Sequence, residues 1–271
     1  MSAKNIRALA LCTLVFFASL QAQANSDMHI SEPAPTGYPS ATISFDAISA
    51  SPDWDRVETI NGDKLYPYDA ELESVDLVIF YHGIGYGTQN YVLGNKAHGL
   101  GAALASSGFD NHSPDVLDAG VLFLVPQGAS KPFAQVQETI RVLEEERDIH
   151  IRSVSIGGWS GGAVGLTSAL DSGIDFRAIL YADPSPERRT MAHWPDEPNI
   201  ENPSMLINWY RTQNWGSARH PGGWYGNANP KFLRRVQDAG GSTHAVDLNH
   251  NEILLLSMVT AIQIVSVEPN S

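Results

Sequence analysis

The chain has 271 residues, 43% of them hydrophobic and 17% charged, with 23 Gly and 16 Pro. That is a globular composition, and it excludes a disordered chain, a coiled coil and a collagen-like repeat. Lys and Arg total 17 against 30 Asp and Glu, a formal charge of −13. Such a surface repels phosphate backbones and anionic headgroups, so no nucleic-acid partner is expected.

Residues 1–24 read as a secretory signal peptide. Lys4 and Arg7 give a positive start, 8–20 is an apolar run, and Ala22-Gln23-Ala24 offers small residues for cleavage. As a helix the run reaches only about 20 Å, against about 30 Å of bilayer core, so no stable membrane insertion is expected. Cys12 is the one cysteine and follows Leu11, where a lipoprotein site wants a small residue. It leaves with the leader, and the mature chain then has no thiol or disulfide chemistry. Removing Lys4 and Arg7 from the 17 basic residues leaves 15 against 30 acidic ones, a mature charge of −15. The expected location is the periplasm or the medium.

Residues 25–40 are polar and carry Pro33, Pro35 and Pro39, an exposed lead-in. A single domain is expected over 41–271, because no linker divides it. Strands are expected at 41–45, 56–60, 75–81, 120–125, 151–156, 176–182, 205–210 and 243–248. Several are continuous apolar runs, such as Leu77-Val78-Ile79-Phe80 and Val121-Leu122-Phe123-Leu124-Val125. Such runs suit parallel strands covered on both faces. Helices are expected where Phe133, Val136, Ile140 and Leu143 recur at helical spacing, and at 163–170, 231–239 and 253–265. The fold class is α/β, a mostly parallel eight-stranded sheet with helices on both faces.

Three signals carry chemistry. Gly158-Trp159-Ser160-Gly161-Gly162 follows the strand at 151–156 and precedes a helix. A serine nucleophile has to project from a turn too tight for bulky neighbours, which explains the flanking glycines. His82-Gly83-Ile84-Gly85-Tyr86-Gly87 directly follows the strand at 75–81. A Gly-rich loop there aims backbone N–H groups at a developing oxyanion, and the donors expected are those of Ile84 and Gly161. Its glycine spacing does not fit the dinucleotide fingerprint, whose third glycine falls one position later.

His250 lies between the last strand and the last helix, placed in a loop from which a general base reaches the serine. His244, within the strand, is expected to be packed. Asp183 closes the strand at 176–182 and precedes Pro184, where a carboxylate can orient His250. Glu187 and Asp196 are the reserve acids, and Asp247 is expected to point away from His250.

Together these residues resemble the α/β-hydrolase superfamily, over essentially the whole mature chain as an order of elements. The resemblance is specific at Ser160, His82-Gly83 and His250, and Ser160, Asp183 and His250 keep the superfamily's order of serine, acid and histidine. Most members carry the acid one strand later; some carry it where Asp183 lies. The resemblance implies an exported serine hydrolase acting on a small or polymeric carboxylic ester through an acyl-serine. The alternatives are an amidase or peptidase with the same triad, and a binding protein of this fold without catalysis. The short 183–205 connection leaves no room for a large lid.

Trp159, beside the serine, is similar to a feature of some bacterial polyester and cutin-like hydrolases. With Trp215 and Trp224 it forms the expected substrate-binding set, an aromatic wall to a cleft. No metal-ligand spacing occurs among the nine histidines, and neither metal nor cofactor is expected.

Overall fold

A computed structural model of the chain describes residues 50–84, 89–108, 120–184, 194–196, 198, 200, 203–211 and 230–266. The leader, the lead-in and the strand expected at 41–45 lie outside the described residues.

The apolar runs form the middle of one sheet. Strands β3 (Ser74–Tyr81), β4 (Val121–Val125), β5 (His150–Trp159), β6 (Phe176–Ala182), β7 (Leu206–Arg211) and β8 (Ser242–Val246) are parallel. A hairpin of β1 (Glu58–Ile60) and β2 (Asp63–Tyr66) pairs antiparallel onto β4. The order across the eight-stranded sheet is β1-β2-β4-β3-β5-β6-β7-β8. The expected α/β class, mostly parallel with eight strands, is what the chain adopts.

Both faces are covered. Helices α1 (Gln89–Gly94), α2 (Leu100–Ser106) and α6 (His250–Ser266) pack on the face carrying Val78, Phe80, Phe123, Leu180 and Ile207. Helices α3 (Phe133–Arg141, continued by a π-helical turn at Val142–Glu146), α4 (Ala163–Thr167) and α5 (Pro230–Asp238) cover Leu77, Ile79, Leu122, Ile156 and Ile179. Successive residues of a strand point to opposite faces, so burial on both sides demands the unbroken apolar runs seen in the sequence. Helix α6 is apolar nearly all round and is buried nearly all round, from Ile253 to Val265.

Four elements differ from expectation. Residues 54–56 form a 3-10 turn, so the first described strand begins at Glu58, not at 56. Strand β2 was not expected, because Asp63-Lys64-Leu65-Tyr66 has no apolar run. Its signal is the preceding Asn61-Gly62, both at positive φ (53° and 80°), the two-residue hairpin turn that matches strand twist. Asp63 is buried yet satisfied: it accepts hydrogen bonds from Thr139 Oγ1 (2.7 Å) and the Gln127 N–H (2.9 Å) and pairs with Lys131 Nζ at 2.6 Å. It thereby ties the hairpin to α3 and to the loop after β4. The short helices α1 and α2 were also not expected; Leu100-Gly101-Ala102-Ala103-Leu104 is buried on all sides and shows no helical period.

Candidate active site

Every parallel strand ends at the same sheet edge, and Ser160, Asp183, His250 and Ile84 lie there. Strand β5 runs through Trp159 and stops in a 3-10 turn at Ser160–Gly162 before α4 begins. Ser160 has φ +55°, a left-handed conformation that a residue with a Cβ adopts only at a cost of about 1–2 kcal/mol. The turn is closed so tightly that a Cβ on Gly162 would collide with the carbonyl oxygens of Tyr81 and His82. Only glycine lets the helix start pass this close to the end of β3.

The loop after β3 lies directly on this turn. A Cβ placed on Gly83 would stand 3.1 Å from Ser160 Cβ, and one placed on Gly161 would meet the Ile84 side chain. Ile84 is otherwise 49% exposed, an apolar ledge at the mouth of the site. The residues expected to supply the two oxyanion donors, Ile84 and Gly161, are therefore neighbours in space. His82 anchors the loop from beneath. It is buried, with Nδ1 2.9 Å from the Gly83 carbonyl and Nε2 3.3 Å from the Gln127 carbonyl. Gly85, Tyr86 and Gly87 lie outside the described residues.

His250 is the first residue of α6 rather than a loop residue. A capping box holds it there. Asn249 Oδ1 accepts the N–H groups of Asn251 (2.9 Å) and Glu252 (3.0 Å), and Glu252 Oε2 accepts the Asn249 N–H at 2.6 Å. The sequence carries this signature in Asn249 and, three residues on, Glu252. Asn249→Ala is expected to cost about 1 kcal/mol of stability. A thermal melt of the variant beside the wild type checks it.

Asp183 also stands at positive φ (+46°), its backbone N–H donating to the Trp209 carbonyl at 2.8 Å. Its fully buried carboxylate meets His250 Nδ1 at 2.6 Å through Oδ2. The structure thus joins the two residues, with His250 Nδ1 as donor and Asp183 Oδ2 as acceptor. Asp247 is exposed, as is Asp196, and Glu187 lies outside the described residues. His244 is packed in β8 against Ser242 Oγ (2.9 Å).

The substrate-binding expectation for Trp159 is corrected. Trp159 is 1% exposed; its ring stacks on Tyr91 of α1 (5.6 Å between centroids, 7° apart) and meets the His250 ring at a 33° tilt (4.6 Å). Its indole N–H donates to the His250 carbonyl at 2.9 Å. Inward alternation along β5 sends this side chain under the histidine and away from a cleft wall. Trp159 and Tyr91 are a floor for His250. Trp215 and Trp224 lie outside the described residues.

Sequence reasoning passed over Arg211, at the end of β7. It is 3% exposed, and its Nε stands 2.5 Å from the same Asp183 oxygen that meets His250. Among the described residues, no group of three or more His, Cys, Asp or Glu side chains is arranged to hold a metal ion, and no helix is long and apolar enough to cross a membrane.

No protein-family model matches the sequence, and no curated protein matches it. Solved structures do. The chain is similar to an S-formylglutathione hydrolase from Agrobacterium tumefaciens, with 11% identity, 78% of this chain and 97% of that chain covered, and a TM-score of 0.51. Two weaker likenesses are to a fungal esterase from Rhizomucor miehei (11% identity, 76% and 82% covered, TM-score 0.44) and to a siderophore hydrolase from Aspergillus nidulans (14%, 86% and 96%, TM-score 0.41). At these identities the likeness is one of fold. A parallel sheet of this order, with a left-handed serine turn between β5 and α4, makes the chain an α/β-hydrolase-fold protein.

Proposed function

We propose that the protein is an exported serine hydrolase that cleaves a carboxylic ester. The observation that carries this reading is the pairing of Asp183 with His250 at the strand edge where Ser160 stands in a strained left-handed turn. Strain at a serine persists only where the surroundings over-determine it.

In the proposed reaction Ser160 Oγ attacks the carbonyl carbon while His250 Nε2 takes its proton. Asp183 accepts the Nδ1–H, fixing the tautomer and stabilising the imidazolium. The N–H groups of Ile84 and Gly161 receive the oxyanion. Collapse of the tetrahedral intermediate breaks the C–O bond, and His250 returns the proton to the departing alcohol. A water molecule, deprotonated by the same histidine, then releases the acid and restores Ser160. Trp159 and Tyr91 keep the His250 ring in place throughout. Both the Asp183 carboxylate and the Trp159 ring are buried, so neither has solvent competing for its contact.

A panel of p-nitrophenyl esters and the matching anilides tests the ester reading. Turnover of the esters with none of the anilides supports it. Anilide turnover at a comparable kcat/KM would move the protein to the amidase alternative, and inertness toward both would favour the binding protein.

Export rests on residues 1–24. The mature chain is expected to begin at Asn25, read by intact-mass measurement of protein from the periplasm or medium. An uncleaved chain in the membrane fraction would contradict it. Because Cys12 departs with the leader, the mature protein should melt identically with and without reductant.

A further inference from the structure

The mechanism above leaves unused a buried charge that lies against Asp183. Arg211 ends β7, and alternation along that strand puts it on the same face as Ile207 and Trp209, under helix α6. Strand β6 lies alongside, pairing Ala182 with Trp209, so the ends of the two strands bring Arg211 and Asp183 together. The Arg211 Nε and the His250 Nδ1 both approach Asp183 Oδ2, at 2.5 and 2.6 Å. Carboxylate and guanidinium are 0% and 3% exposed.

We propose that Arg211 is a positioning residue for the proposed hydrolysis, holding the Asp183 carboxylate turned toward His250. The inference rests on the reading of Ser160, Asp183 and His250 as a triad. A lone carboxylate in an apolar interior is expensive, and an ion partner offsets that expense only at close range and fixed orientation. Asp183 is buried, and the same carboxylate oxygen meets the histidine it has to orient. An arginine on the same oxygen supplies the compensating charge and fixes the carboxylate rotamer from the β7 side. A planar guanidinium held in a strand suits this task, because little side-chain freedom remains to be lost.

If Arg211 acts through Asp183, it matters only while Asp183 is a carboxylate. The test is therefore a double-mutant cycle read as the rate of Ser160 labelling by a fluorophosphonate, with far-UV circular dichroism on every variant. Arg211→Met is expected to slow labelling by about 10²-fold, the scale of a misplaced catalytic group. In an Asp183→Asn background the same change is expected to slow it by less than about threefold, because the interaction is already gone. Arg211→Lys, which keeps the charge, should recover most of the rate. Arg211→Gln carries the same cycle if Arg211→Met does not fold.

A folded Arg211→Met or Arg211→Gln variant that labels at the wild-type rate overturns the proposal. So does a loss that multiplies in the Asp183→Asn background, the mark of a residue that merely supports the fold. A wild-type protein that takes no label at Ser160 overturns the triad reading itself, a result distinct from either of these.

Discussion

Replacing Ser160 by alanine is expected to remove on the order of 10⁶ of kcat, the loss seen when the nucleophile of a serine triad is deleted. The fold should survive, because alanine fits the space of the serine side chain. A glycine at this position separates chemistry from stability. Ser160 pays for its side chain with φ +55°, and glycine occupies that region without steric penalty. Ser160→Gly should therefore be as inactive as Ser160→Ala yet melt at the same or a higher temperature, even after glycine's extra freedom in the unfolded chain is counted. Ester hydrolysis by either variant within a few-fold of wild type would remove Ser160 from the reaction.

The second large effect is expected at Asp183. Asp183→Asn keeps the volume of the side chain but presents an amide to His250 Nδ1, which favours the wrong imidazole tautomer. The expected loss is on the order of 10⁴ in kcat, by the known behaviour of a triad acid changed to its amide. KM should move little, since Asp183 is buried and touches no substrate. Asp247→Asn serves as the control: Asp247 is exposed and lies past the end of β8, so its loss should leave kcat nearly unchanged. Kinetics of the two variants side by side decide between them. If Asp247→Asn is the crippled one, the acid has been misassigned.

The sequence was most legible where burial dictates composition. Strands β3, β4 and β6 are buried on both faces, and their unbroken apolar runs announced them to within a residue or two. Strand β2 was not legible by that rule, because it pairs at the sheet margin and spends Asp63 on a buried polar network. The Asn61-Gly62 turn was the available signal for it. At the site, Gly158 to Gly162 and Asp183 could be placed at strand ends from pattern alone. The start of α6 at His250 was also legible, through Asn249 and Glu252, but a capping box shows in no hydrophobic period.

Two features could not be read from the chain. Trp159 has the composition of a cleft wall, and only the packing of Tyr91 and His250 against it makes it a floor. Arg211 closes a strand that ends without a carboxylate, and its meaning depends on the neighbouring strand, whose last residue precedes Asp183. Pairings between residues far apart in sequence come from sheet order, and periodicity along one strand carries no record of them.

The central claim is that Ser160 is a nucleophile activated by His250. Its most direct test is to treat the mature protein with a fluorophosphonate, digest it and locate the adduct by mass spectrometry. The account predicts one adduct, on Ser160, formed at a rate that falls by orders of magnitude in His250→Ala while the circular dichroism spectrum is unchanged. An adduct on another residue, or labelling of Ser160 that is indifferent to His250, would contradict it.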